Sequence, residues 1–230
     1  MIGRRILVVA AHSDDEALGC GGTIAAHTGA GGSVSVLFMT DGVGARGTVS
    51  DEAARRHAAA AAALAELGVS SFENLDFPDN RMDAVPLLDV VQAIEPVVRK
   101  FRPDTILTHH GGDLNVDHRV THEAVMTALR PQPGETFETI LTFEVASSTE
   151  WRTPNPAAAF VPHWYEDISA TLEAKRRALI AYATEMRDWP HSRSVEAVMH
   201  LARYRGACVG LEAAEAFMLA RRIGRRGPLP

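Results

Sequence analysis

The sequence predicts an α/β protein: a single domain with a mainly parallel sheet flanked by helices. Two observations carry this prediction. Short, continuously apolar runs rich in β-branched residues recur along the chain, as strands covered on both faces require. Longer segments with helix-start and helix-stop signals lie between them, and strand and helix alternate in the order that builds parallel βαβ units. At 230 residues the chain is long enough for one domain with a sizeable core. It shows no internal repeat, no low-complexity linker and no composition break that would mark a boundary.

The elements follow in order. Residues 5–11 (Arg5-Ile-Leu-Val-Val-Ala-Ala11) form the first buried strand, and residues 15 to about 30 a helix stopped by Gly29-Ala-Gly-Gly32. Residues 33–39 are a second strand that runs out into Thr40-Asp41 and a loop with Gly42, Gly44 and Gly47. Ser50-Asp51-Glu52 supply an N-cap and an acidic first turn for an alanine-rich helix ending near Leu67-Gly68. A short strand over 72–77 is broken by Pro78-Asp79-Asn80, and a helix spans about 87–101. Residues 105–108 are a strand ending in His109-His110-Gly111-Gly112, followed by a helix over about 117–129 and a strand over 139–144. Residues 147–163 read as irregular, and from Asp167 to about Arg222 the pattern reads as helical.

Bulk properties exclude several function classes. A net charge of -6 gives no support to a nucleic-acid partner. No apolar run approaches the roughly 20 residues of a membrane span, and no signal peptide is visible at the N-terminus. The two cysteines, Cys20 and Cys208, lie far apart in predicted helices, so a reducing, cytoplasmic setting is expected.

The chemistry gathers at two strand ends. The first strand ends in His12-Ser13-Asp14-Asp15-Glu16, a histidine and three carboxylates where open α/β sheets carry their sites. Carboxylates so crowded repel one another, and a divalent cation is the simplest relief. The fourth predicted strand leads into Asp113-Leu-Asn115-Val-Asp117-His118 on the same sheet edge. His12 and Asp15, three apart across a strand-to-helix turn, can face one point, and His118 could supply a third ligand, which leaves Asp14 free to act as a base. The same residues also admit a blander account, a turn with N-capping carboxylates. Asp117 is either an N-cap or a partner that orients a ligand histidine. Gly19-Cys-Gly21-Gly22 does not fit a dinucleotide fingerprint, because it follows the turn and sits among carboxylates; close helix–sheet packing explains it better.

Ala11-His12-Ser13-Asp14-Asp15-Glu16 resembles the Ala-His-Pro-Asp-Asp-Glu motif of the PIG-L (LmbE-like) zinc-dependent N-acetylglucosaminyl deacetylases, with Ser13 in place of the proline. Asn115-Val-Asp117-His118 resembles that family's second motif. Arg56, Leu67-Gly68, the 75–81 segment and Ala214-Glu-Ala-Phe217 are similar too, so the resemblance covers nearly the whole domain. It implies a Rossmann-like fold holding one Zn²⁺ through His12, Asp15 and His118, with Fe²⁺ also suited to such a set. It further implies Asp14 as the general base that deprotonates water for attack on an acetamide and returns a proton to the leaving amine.

Several family members carry an oxyanion-stabilising histidine three residues before the last ligand. Asn115 stands there in this chain, and either it does a weaker version of that work or His109 or His110 reaches in. Adjacent residues on a strand point oppositely, so at most one of the two histidines faces the site. Ala59 also replaces a glutamate common in the family. Arg81, after the Pro-Asp-Asn turn, and Asp41, at the end of the second strand, are candidate substrate-binding residues.

The resulting expectation is hydrolysis of a small N-acetylated amino sugar or its conjugate. A homo-oligomer is compatible with the resemblance, although no surface stripe names an interface. Two rivals stay open: a zinc hydrolase of another amide or acyl group, and a non-catalytic Rossmann-like protein that binds nucleotide or sugar without metal.

Overall fold

A computed structural model describes residues 2–40, 50–153 and 155–224; Asp41 and the glycine-rich loop lie outside these described residues. Strand β1 (Arg5–Ala10) sits inside the sheet. It pairs in parallel with β2 (Ser33–Thr40) on one side and β4 (Thr105–His109) on the other. β3 (Phe72–Phe77) extends the sheet beyond β2, and β5 (Thr139–Phe143) extends it beyond β4, both in parallel. The chain runs outward from β1 through β2 to β3, then crosses back to β4. The strand order therefore reverses between β1 and β4, and such a switch point opens a crevice at the carboxyl ends of the strands. Both motifs lie at this crevice.

Covered faces explain the unbroken apolar runs. Ile6, Val8 and Ala10 of β1 pack into a core with Ile24 of α1 (Asp15–Gly29) and Ala63 and Leu64 of α2 (Ser50–Glu66). Leu7 and Val9 point the other way, onto Val90 and Ile94 of α3 (Leu87–Phe101) and Val125 of α4 (Val116–Ala128). A strand covered by helices on both faces has no polar side to show in its sequence. The third predicted strand and the helix over 87–101 are found with the expected limits.

The expectation of helix from Asp167 to about Arg222 is corrected. β6 (Trp164–Asp167), α5 (Leu172–Ala181), α6 (Val195–Ala207) and β7 (Ala214–Arg222) occupy this region. β7 pairs antiparallel with β5 and β6 with β7, completing seven strands in the order β3-β2-β1-β4-β5-β7-β6. Ala214-Glu-Ala-Phe-Met-Leu-Ala is composed largely of good helix formers, but helix preference is worth only about 0.7 kcal/mol per residue or less. The glycine at 210, with φ of 77°, ends the preceding turn, and the segment then satisfies the open backbone edge of β5 while burying Ala214, Ala216 and Phe217.

The glycine run in α1 packs against the sheet as close-packing residues must. A Cβ at Gly19 would lie 2.3 Å from the ring of Phe143, and one at Gly22 would lie 2.7 Å from Ile168. Gly19→Ala should accordingly lower stability by about 1–3 kcal/mol, read as a fall in the urea midpoint without a change in slope.

Candidate metal centre

The turn from β1 into α1 is strained. Asp14 has φ of 133°, a region that costs a non-glycine residue of order 1–3 kcal/mol and persists only where its surroundings over-determine it. Those surroundings are visible: the Asp14 N–H donates to Glu16 Oε2 (3.1 Å), and its carboxylate accepts from Arg193 Nη1 (2.9 Å). No side-chain hydrogen bond from Asp14 caps α1, so the capping account fails for this residue. Asp15 Oδ2 accepts from the backbone N–H of His12 at 2.9 Å, which closes the turn on itself.

His12, Asp15 and His118 converge, with one donor atom from each lying within 4.8 Å of the others and all three buried. His12 Nδ1 is 3.2 Å and His118 Nε2 3.3 Å from Asp15 Oδ2. The opposite nitrogens are spoken for by carboxylates. His12 Nε2 lies 3.1 Å from Asp117 and 3.2 Å from Asp79, and His118 Nδ1 lies 3.1 Å from Asp113. Each ring is thus oriented from behind so that its inner nitrogen faces Asp15, the arrangement that metal-ligating histidines use. Asp15 Oδ1 and both ring nitrogens of His118 are buried and make no hydrogen bond, Nδ1 having only its ion-pair contact with Asp113, although unsatisfied buried polar atoms are rare. Two histidines, one carboxylate and the orphaned Asp15 Oδ1 and His118 Nε2 fit a divalent cation with an open coordination position.

Electrostatics points the same way. Burial alone would lower the pKa of both histidines, but the carboxylates outweigh it: Asp117, Asp15 and Asp79 hold His12 well above its usual range, and Asp15 and Asp113 lift His118 to about 9. Burial pushes Asp15 upward, and His118 and His109 overcome it, keeping Asp15 well below the carboxylate range. A cluster that draws protons onto its histidines is one that a cation would neutralise in their place. Among the described residues a second group, His12, Asp79 and Asp117, also has donor atoms within 4.8 Å of one another. Asp117 there already accepts from the backbone N–H groups of Asn80 (2.6 Å) and Met82 (3.0 Å), so its lone pairs tie a turn together.

Above the centre lies a polar cleft of about 180 Å³ lined by His12, Asp14, Arg56, Asp79, Asn80, Asn115, Glu185 and Arg193. Burial raises Asp14 to about 6 in spite of the Arg193 guanidinium beside it. Arg193 also donates to Ser147 Oγ (2.8 Å), and Arg56 pairs with Glu185 at 2.6 Å.

The remaining predicted residues fall in distinct places. Asn115 lines the cleft. Its Oδ1 accepts from the N–H of Asp117 (2.8 Å), making it the N-cap of α4, and its Nδ2 donates to Asn80 (3.2 Å). His109 is fully buried behind the centre, where its Nε2 accepts the Ala11 N–H (2.8 Å) and its ring stacks on His118 at 4.0 Å; burial and the neighbouring His118 push its pKa well below the usual imidazole range. His110 turns away to bond the Ala158 carbonyl (2.8 Å). Arg81 is exposed on its turn, and Asn80 beside it is the residue that lines the cleft.

Sequence reasoning missed Asp113, Asp79, Glu185 and Arg193 as site residues. Asp113 sits two residues before the second motif and accepts from Ser148 and Thr149 hydroxyls as well as facing His118. Its place just upstream of a predicted ligand was the available signal. Arg193 and Glu185 lie between α5 and α6, where the sequence carries no motif.

Residues 7–129 match the PIG-L family, described as GlcNAc-PI de-N-acetylase. The chain is similar to the 1D-myo-inositol 2-acetamido-2-deoxy-alpha-D-glucopyranoside deacetylase of Rhodococcus erythropolis, at 30% identity over 241 aligned positions covering 80% of this chain and 81% of that one. In fold it is similar to the N,N'-diacetylchitobiose deacetylase of Pyrococcus horikoshii, with a TM-score of 0.76 at 20% identity over 95% of this chain and 84% of that one. It is equally similar, with a TM-score of 0.76 at 23% identity over 99% and 100% of the two chains, to GalB of Pseudomonas putida KT2440, a 4-carboxy-2-hydroxymuconate hydratase. A hydratase and a deacetylase matched equally well show that this fold by itself does not choose the reaction.

Proposed function

The chain belongs to the PIG-L family, and from that premise we propose that it is a metal-dependent hydrolase that removes the acetyl group from a 2-acetamido-2-deoxy sugar or its conjugate. The observation that carries this reading is the convergence of His12, Asp15 and His118 beneath a polar cleft with Asp14 at its wall. We assign these three as the ligands of a divalent cation, with zinc as the metal and Fe²⁺ as the other ion suited to the set. When bound, the cation supplies Lewis acidity toward a water molecule and the acetamide carbonyl.

The protein's own groups do the rest. Asp14 takes a proton from the attacking water as the C–O bond forms, and returns it to the nitrogen as the C–N bond breaks, giving a free amine and acetate. Arg193 orients the Asp14 carboxylate through its 2.9 Å hydrogen bond. Asn115 turns its Nδ2 toward the developing oxyanion, exchanging its bond to Asn80 for one to substrate. Asp117 and Asp113 hold the two ligand histidines in register. Asn80, Arg56 and Glu185 offer donors and acceptors to sugar hydroxyls. Both cysteines are free, as a reducing, cytoplasmic setting would leave them; among the described residues no helix is long and apolar enough to cross a membrane.

Elemental analysis of purified protein, followed by an assay of acetate release from a panel of N-acetyl sugars, tests the reading. About one zinc or iron per chain together with acetate release supports it. A chain that takes up no metal even when zinc is offered overturns it.

Asn115→Asp separates the two tasks of that residue. The capping oxygen is kept and the Nδ2 donor is lost, so thermal stability should hold while turnover falls about 10²-fold, the usual cost of one oxyanion donor. Unaltered turnover would remove Asn115 from that role.

A further inference from the structure

Helix α1 is broken inside. Cys20 has φ of −146° and ψ of 19°, outside the helical range. In an unbroken helix the N–H groups of Gly22 and Thr23 would bond the carbonyls four residues back. They donate instead to the two carboxylate oxygens of Glu215, at 2.9 and 2.7 Å. The carbonyls of Ala17 and Leu18 accept from Lys175 Nζ, at 3.0 and 2.8 Å, and the third Nζ donor closes onto Glu215 at 2.5 Å. All three donors of the ammonium are used, and both side chains are buried, at 1% and 4% exposure. The signs are matched as well. A cation caps the carbonyl end of the first half-helix, and an anion caps the amide end of the second.

We propose that this Lys175–Glu215 pair is a wedge that holds α1 open at Cys20 and thereby positions the first half-helix, which begins at Asp15 directly after Asp14. The inference rests on the metal-site reading above. A buried ion pair is poor evidence of stabilisation, since its desolvation offsets its attraction. This pair instead satisfies four backbone groups that the break exposes, and it reaches them from α5 and β7, on the opposite side of the sequence from the ligands. The C-terminal end of α5 grips the turn at a second point, where the hydroxyl of Tyr182, its C-cap, donates to Glu16 (2.7 Å) and Glu16 in turn accepts from the Asp14 N–H. Lys175 and Glu215 touch no substrate and are positioning residues.

The test compares zinc affinity of the wild type with Lys175→Met and Glu215→Gln, each first checked for folding by circular dichroism. A wedge role predicts zinc dissociation constants raised on the order of 10–100-fold, as for other residues that orient ligands, and kcat reduced with little change in KM. A folded variant that binds zinc like the wild type, whatever its melting temperature, overturns the proposal. Should neither variant fold, amide hydrogen exchange of the intact wild type decides. Zinc should slow exchange at Gly22 and Thr23 at least tenfold more than at Val91 and Ile94 of α3, and equal slowing overturns the wedge. A wild type that binds no zinc at all sinks the metal-site reading itself, which keeps the two failures distinct.

Discussion

Asp14→Asn should keep its metal and lose nearly all turnover. The side chain lies outside the ligand group, so zinc content per chain should match the wild type. The amide oxygen of asparagine can still accept from Arg193 Nη1, which preserves the 2.9 Å contact that holds the turn. What disappears is a group able to take and return a proton. General acid–base catalysis contributes about 10²–10⁴-fold, and kcat should fall by that factor with KM nearly unchanged. Melting temperature should hold or rise, because burial already raises the Asp14 carboxyl to about 6 in spite of Arg193, and asparagine has no charge to desolvate. Paired measurements of metal content and steady-state kinetics check this. Normal turnover in a metal-replete variant would remove Asp14 from the base role.

His118→Ala should lose the metal together with activity. It removes one of three ligand atoms and also strips Asp15 and Asp113 of the histidine that faces them at 3.3 and 3.1 Å. Metal per chain should drop below about a tenth of the wild-type value, and the variant should melt lower than metal-loaded wild type, since a ligand bound only by the native state stabilises it by mass action. Chelator-treated wild type is the control that separates loss of metal from loss of the side chain. A His118→Ala protein that keeps a full complement of zinc would transfer the ligand role to His12, Asp79 and Asp117.

The first two-thirds of the chain is legible in the sequence nearly element by element, because the determinants there are local. A short, β-branched apolar run such as Ile6-Leu-Val-Val9, bounded by turn residues, reads as a strand covered on both sides, and its side chains do pack into cores on both faces. The motif at 11–16 and its counterpart at 115–118 place their side chains at strand ends, where the parallel connection brings them to one edge. Past Asp167 local reasoning failed. Ala214–Arg222 has the composition of a helix and the pairing of a strand, and pairing depends on an edge of β5 some 75 residues earlier.

The sequence by itself determined the α/β class, the edge of the sheet that carries the chemistry, and the residue types able to hold a cation. Those follow from periodicity, turn residues and charge crowding over a few positions. Only the tertiary structure decided that Asn115, rather than His109 or His110, lines the cleft, that Arg193 meets Asp14, and that Asp113 and Asp117 each stand behind a different histidine. Such pairings are chosen by how distant segments pack. A carboxylate 179 positions from its arginine leaves no periodic trace in the chain, only a distance once it has folded.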